Sequence, residues 1–205
     1  MSLRQLYRRS RALLRDGDLL QAVRAELAYE LSSPSSSPPQ SIEVGDTVDG
    51  FVLECDDPKT KDVFLRKSDE EEVAVSAKLG RLFFGEENAM DWNVRMKVCV
   101  KRPKAEPLLH FDCSVFAGEG FGSSDFRIRR VAYHSSQDSL EAFKYRGPKF
   151  RSLDPNLQGA LKEYLIARGV GAELTDFLLK RLHSKDQNQY VTWLRTMESL
   201  LANQP

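Results

Sequence analysis

The stretch from Leu153 to Ala202, LDPNLQGALKEYLIARGVGAELTDFLLKRLHSKDQNQYVTWLRTMESLLA, leaves little room for anything but packed helices. Asp154 is a capping residue placed before Pro155, whose missing N–H costs nothing in a first turn, and Gly169 stands where a left-handed C-terminal cap is wanted. Leu157, Leu161, Tyr164 and Leu165 recur at helical spacing, and so do Leu174, Phe177, Leu178 and Leu182. Asp186 with Gln189 makes a capping box for a third helix, striped by Tyr190, Trp193, Leu194, Met197 and Leu201. Three helices within 154–202 are therefore expected. Their stripes, with Leu157, Leu161, Tyr164, Phe177, Tyr190, Trp193 and Leu194 at the contacts, serve a core and a subunit interface.

Upstream the period changes to two. WNVRMKVCVKR puts Trp92, Val94, Met96, Val98 and Val100 on one face and Asn93, Arg95, Lys97, Cys99 and Lys101 on the other, which is a half-buried strand. Weaker strands are expected at Phe51–Cys55, Val63–Lys67, Glu72–Lys78, Leu108–Val115 and Phe126–Tyr133, joined by polar or Gly-rich connectors. Strands followed by helices, with no alternation of the two, describe an α+β antiparallel architecture. Before them, Leu19, Leu20, Val23, Leu27 and Leu31 mark an N-terminal helix over 16–31, and SSPSSSPPQ at 32–40 is a linker that can bury nothing.

Charge divides the chain unevenly. Lys and Arg number 30, as do Asp and Glu, yet Arg4, Arg8, Arg9, Arg11 and Arg15 all precede the first acid, Asp16; without residues 1–15 the balance is 25 to 30, a net charge of −5. The Arg-rich, acid-free start, with Leu3, Leu6, Leu13 and Leu14 able to form an apolar face, reads as a mitochondrial presequence. The alternative is that it begins the first helix. Cys55, Cys99 and Cys113 have neither metal-ligand nor disulfide-framework spacing, which favours a reducing compartment. No apolar run reaches the length of a membrane span, and no Asn-x-Ser/Thr sequon occurs.

The helical block, with Leu-Asp, Ala-Arg-Gly-Val, Leu-Thr-Asp-Phe-Leu and Tyr-Val-Thr-Trp-Leu in that order, resembles the C-terminus of the mitochondrial glycoprotein family of matrix acidic proteins. The looser likeness continues through the strands, including FRIRRVAY at Phe126–Tyr133, and covers residues 41–205 as one domain, with a sheet over 50–152 and helices over 154–202. The resemblance implies a twisted antiparallel sheet of about seven strands flanked by one N-terminal and two to three C-terminal helices. It also implies a ring-shaped homotrimer in the mitochondrial matrix, with no enzymatic activity. Family members carry longer acidic stretches than this chain does.

No converging catalytic set, cofactor box or metal site is visible. His110, Asp112 and Ser114 alternate onto one strand face, but a strand rise of about 3.3 Å per residue separates i and i+2 positions by about 6 to 7 Å, beyond the reach that a base and nucleophile need. Gly118-Glu119-Gly120-Phe121-Gly122 reads as a hairpin loop, because a strand and not a helix follows it. Asp69, Glu70, Glu71 and Glu72 form a run that serves either as a solvated turn or as an acidic partner patch, with Glu86, Glu87 and Asp91 as a smaller one. Arg95, Lys97 and Lys101 on one strand and Arg127 and Arg129 on another would make a polyanion-binding face if the two strands were neighbours. The expected function is a non-catalytic trimeric scaffold or chaperone-like protein of the matrix. By resemblance its partners are other copies of itself, matrix proteins and mitochondrial ribosome components; the alternative is an RNA-binding module.

Overall fold

The computed structural model describes residues 16–32, 45–80, 83–84, 90–91, 94–103, 107–117, 123–134 and 147–202. The elements are α1 (Asp16–Ser32), β1 (Thr47–Val48), β2 (Phe51–Cys55), β3 (Asp62–Ser68), β4 (Glu72–Leu79), β5 (Phe83–Phe84), β6 (Met90–Asp91), β7 (Val94–Lys101), β8 (Leu108–Ala117), β9 (Ser124–His134), a single 3₁₀ turn (Phe150–Ser152), α2 (Pro155–Ile166) and α3 (Ala172–Ala202). They divide into two compact units, Ile42–Ser184 and Met1–Ser41 with Lys185–Pro205. The expected leader at 1–15, the linker beyond Ser32, Trp92 and the loop Gly118–Gly122 lie outside the described residues, as do Glu86 and Glu87.

In the larger unit seven strands form one antiparallel sheet in the order β1-β2-β3-β4-β7-β8-β9, while β5 and β6 pair separately. Alternation dictates which face is buried. Val73, Val75 and Ala77 of β4, Val94, Met96, Val98 and Val100 of β7, and Phe111, Cys113 and Val115 of β8 all point to one side. Leu165, Val170, Leu174, Leu178 and Leu182 meet them and complete the core. At about 25 cal/mol per Å² of apolar surface removed from water, this layer is the main stabilising contribution. β9 is tied to α3 by Ser124, whose N–H donates to Asp176 Oδ1 at 2.8 Å and whose hydroxyl donates to Thr175 Oγ1 at 2.6 Å.

The ends of α2 follow the local signals. Asp154 accepts hydrogen bonds from the N–H groups of Asn156 and Leu157, with Pro155 in the first turn. At the other end Gly169 has φ +86°, its N–H donates to Ile166 O, and Val170 N–H donates to Leu165 O. These are the paired bonds of a Schellman motif, closed by contact between the fully buried Leu165 and Val170. A Cβ at Gly169 would lie 3.1 Å from Asp49 Oδ2 and 3.2 Å from Lys67 Nζ, so both backbone and space call for glycine.

The expected third C-terminal helix is a correction. Ala172–Ala202 is one helix of 31 residues, and Asp186 and Gln189 lie within it. His183-Ser184-Lys185-Asp186 contains neither Gly nor Pro. A capping preference of about 1 kcal/mol does not offset the backbone hydrogen bonds that an interruption would forfeit.

In the smaller unit α1 runs antiparallel to the end of α3. Arg24 Nε bonds Glu198 Oε1 at 2.8 Å, Tyr190 OH donates to Glu26 Oε1 at 3.0 Å, and Gln187 Nε2 donates to Glu30 Oε2. Val23 and Leu194 are buried here.

Candidate interaction surface on the outer sheet face

The face of the sheet opposite the helices carries its charge in registered rows. Reading across β3, β4, β7, β8 and β9, one row is Asp62, Lys78, Arg95, Ser114 and Arg127, and the next is Phe64, Ser76, Lys97, Asp112 and Arg130. A third is Arg66, Ala74, Cys99, His110 and Ala132. Lys78, Arg95, Lys97, Arg127 and Arg130 are all exposed. Alternation sends these side chains outward because their neighbours along each strand fill the core.

The expected basic face therefore needs correction in three respects. β7 and β9 are not adjacent, because β8 lies between them and brings Asp112 and Ser114 into the middle of the patch. Arg129 is the extra residue of a bulge between the partners of Asp112 and Cys113, so Arg130 takes the place in the row that strict alternation assigns elsewhere. Lys101 lies opposite Glu72, at the far end from Arg95. Arg95, Lys97 and Arg127 do converge. Lys78 was legible from the alternation of β4, whereas Arg130 was hidden by the bulge.

The acidic run does not form one patch. Glu71 turns toward the helices and accepts from Arg168 Nε at 2.6 Å and Arg102 Nε at 3.1 Å, while Glu72 turns outward and accepts from Arg66 Nη1 at 2.8 Å. Asp69 and Glu70 remain exposed at the tip. Asp69, Glu70 and Glu71 lie in the turn between β3 and β4 and border one groove, while Glu72 opens β4 and points to the outer face. Arg168 also donates to Tyr164 O and lies 3.4 Å from the centre of the Tyr164 ring, closing the end of α2. A groove of about 400 Å³ beside it is lined by Lys67, Asp69, Glu70, Glu71, Val73, Ala167 and Arg168.

His110 and Asp112 are closer than backbone spacing suggests. His110 Nε2 lies 3.4 Å from Asp112 Oδ1, and its Nδ1 lies 3.1 Å from His134 Nε2. The separation of about 6 to 7 Å holds at the backbone, and side chains leaning together close it. Ser114 makes no hydrogen bond to either residue among the described contacts, and Cys99 of β7 lies opposite His110 in the register. The imidazole of His110 beside it holds the Asp112 carboxyl below its ordinary value, aided by the charges of Lys97 and Arg130. A lowered carboxyl adds stability above its unfolded value, and that stability is lost as pH falls through the folded one.

The helix residues expected at contacts divide. Leu161, Tyr164 and Phe177 pack on the core of the larger unit and Leu194 is buried in the smaller. Leu157 is 47% exposed, and Tyr190 and Trp193, the latter 54% exposed, stack on each other at the surface with centroids 6.0 Å apart. Among the described residues no group of three His, Cys, Asp or Glu is placed to hold a metal, and no helix is long and apolar enough to cross a membrane.

The three thiols differ sharply in setting. Cys55 is exposed, Cys99 is half-buried with its thiol raised by burial, and Cys113 is buried and pushed up to about 12. Full protection of the Cys113 thiol holds below its ordinary value of 9.0 and is lost as pH rises toward about 12. That rise alone cuts its thiolate fraction at pH 8 about a thousandfold. Alkylation followed by mass spectrometry should modify Cys55 first, Cys99 more slowly and Cys113 only after denaturant is added.

Residues 84–201 match the family described as mitochondrial glycoprotein. Over 88 residues, 40% of this chain, it is 34% identical to the mitochondrial acidic protein mam33 of Schizosaccharomyces pombe. Over 94 residues, 45% of the chain, it is 31% identical to an uncharacterized mitochondrial protein of Arabidopsis thaliana. These matches span about a third of the length of either relative, 33% and 35%. The fold is that of the Trypanosoma brucei p22 protein, at a TM-score of 0.65 and 22% identity over 91% of this chain and 98% of that one. A Leishmania major protein described as a sequence homologue of human p32 aligns over the same shares, at 0.66 and 22%.

Proposed function

The chain belongs to the mitochondrial glycoprotein family, and we propose that it is a non-catalytic protein of the mitochondrial matrix that assembles as a homotrimer and holds other proteins together. The processes it would serve are assembly or translation of the mitochondrial ribosome and maintenance of respiratory complexes. The observation that carries this reading is the division of one sheet into a fully buried face and a face of exposed, registered charge. Such a face is suited to contact with partners of complementary charge. That the two curated relatives are named as mitochondrial supports the compartment. Three copies would present each surface three times, so weak contacts add through effective concentration.

Light scattering coupled to size exclusion tests the assembly. A single species near three times the 23.3 kDa chain mass, about 70 kDa, is expected at micromolar concentration. A monodisperse species at the mass of one chain would remove the basis of the scaffold reading.

A further inference from the structure

We propose that His110 of β8 and His134 at the end of β9 hold a divalent transition-metal ion, zinc or nickel, between their rings on the outer face of the sheet. This goes beyond the scaffold reading and does not depend on it. The chain has three histidines, and the sheet brings two of them together from positions 24 residues apart. His110 Nδ1 lies 3.1 Å from His134 Nε2 with the ring centres 5.3 Å apart, so each imidazole turns a nitrogen toward the other. Zinc–nitrogen bonds of about 2.0 to 2.1 Å at a tetrahedral angle place two such nitrogens about 3.3 Å apart. An opening of about 0.2 Å and a tilt of both rings therefore turn the hydrogen-bonded pair into a chelate.

Asp112 supplies the support that such a site needs. Its Oδ1 lies 3.4 Å from His110 Nε2, which is buried and has no hydrogen-bond partner. The carboxylate charge favours the proton on that nitrogen and leaves Nδ1 with its lone pair facing His134. A carboxylate behind a ligating histidine fixes the tautomer and raises the basicity of the ligand. Nitrogen ligands also select the metal, since imidazole suits zinc and nickel whereas magnesium and calcium want oxygen. Among the described residues no third ligand is in place, so water fills the remaining positions and the ion exchanges readily. Lys97 and Arg130 flank Asp112 in its row and repel a cation, which also holds the affinity in the micromolar range.

The test is calorimetric titration of the full chain with zinc chloride and with nickel chloride, with the oligomer mass read on the same sample. One ion per chain should bind with micromolar affinity, and magnesium chloride should give no heat of binding. In proton NMR the ring signals of two of the three histidines should move with zinc while those of the third stay. His134→Gln should weaken binding at least about a hundredfold, and Asp112→Asn, which removes only the supporting charge, about tenfold. If His134→Gln is misfolded by circular dichroism, His110→Gln should give the same result. His183→Gln and Cys99→Ser should each leave the affinity unchanged. The proposal is overturned by no saturable binding of either ion, by binding that survives both His134→Gln and His110→Gln, or by a loss in His183→Gln or Cys99→Ser equal to that in His134→Gln. A rise in oligomer mass on adding zinc also overturns it, because the ion would then sit between chains. A trimer and a monomer should bind alike, so failure of the assembly leaves this result standing.

Discussion

Phe111→Ala is expected to cost about 3 to 5 kcal/mol, the largest effect of any single truncation in the sheet. Phe111 has no exposed surface, sits on β8 between Val98 of β7 and Val131 of β9, and stacks on Tyr164 of α2 at a centroid distance of 6.1 Å. It therefore touches both layers of the larger unit. Loss of the ring removes buried area and leaves a cavity that strands fixed by ladder bonds on both sides cannot close. It also uncovers one face of Tyr164, whose hydroxyl is already buried without a hydrogen-bond partner. For a chain of this size each kcal/mol lowers the melting temperature by about 2 to 4 °C, so a fall of about 6 to 20 °C should appear by calorimetry. Leu157→Ala, at an exposed position on the same helix, should stay within about 0.5 kcal/mol. A loss below about 1 kcal/mol for Phe111→Ala would mean that the strand and helix layers are not one core.

What was legible in the sequence is whatever local physics decides. Strands at Phe51–Cys55, Val63–Lys67 and Glu72–Lys78 are found within a residue of their expected ends, because apolar residues at every second position leave one possible buried face. The Asp154 cap and the Gly169 stop are equally local, each needing only its own backbone geometry. Strand neighbours are different. Which strand lies beside β7 is decided by pairing over the whole sheet, so Arg95 and Arg127 could be assigned to an outer face but not to a distance from each other. The bulge at Arg129 compounds this, since one extra residue reverses the alternation beyond it and moves Arg130 into the patch. Periodicity leaves a different question open at Tyr190 and Trp193. A helical stripe says that side chains share a face, not which face is covered, and here the two rings cover each other.

Arg181→Ala should destabilise the larger unit by about 3 kcal/mol, because it removes the cation beside a nearly sealed carboxylate. Arg181 Nε on α3 donates to Asp56 Oδ2 at the end of β2, with side-chain exposures of 18% and 4%. The carboxylate is short and nearly sealed, so it cannot reach water when its cation is gone. Arg181 is long, and its guanidinium can move outward along the α3 surface when Asp56 is absent. Surface pairs such as Lys162 with Asp125, 39% and 50% exposed, contribute at most about 1 kcal/mol for the same type of contact, because solvent already satisfies both partners. The urea midpoints of Arg181→Ala, Asp56→Ala and the double variant separate these terms. The double variant should cost less than the sum of the singles by at least about 1 kcal/mol, since the two charges interact directly. Additive losses would show that Asp56 is held by its turn and that the ion pair contributes nothing to docking α3 on the sheet.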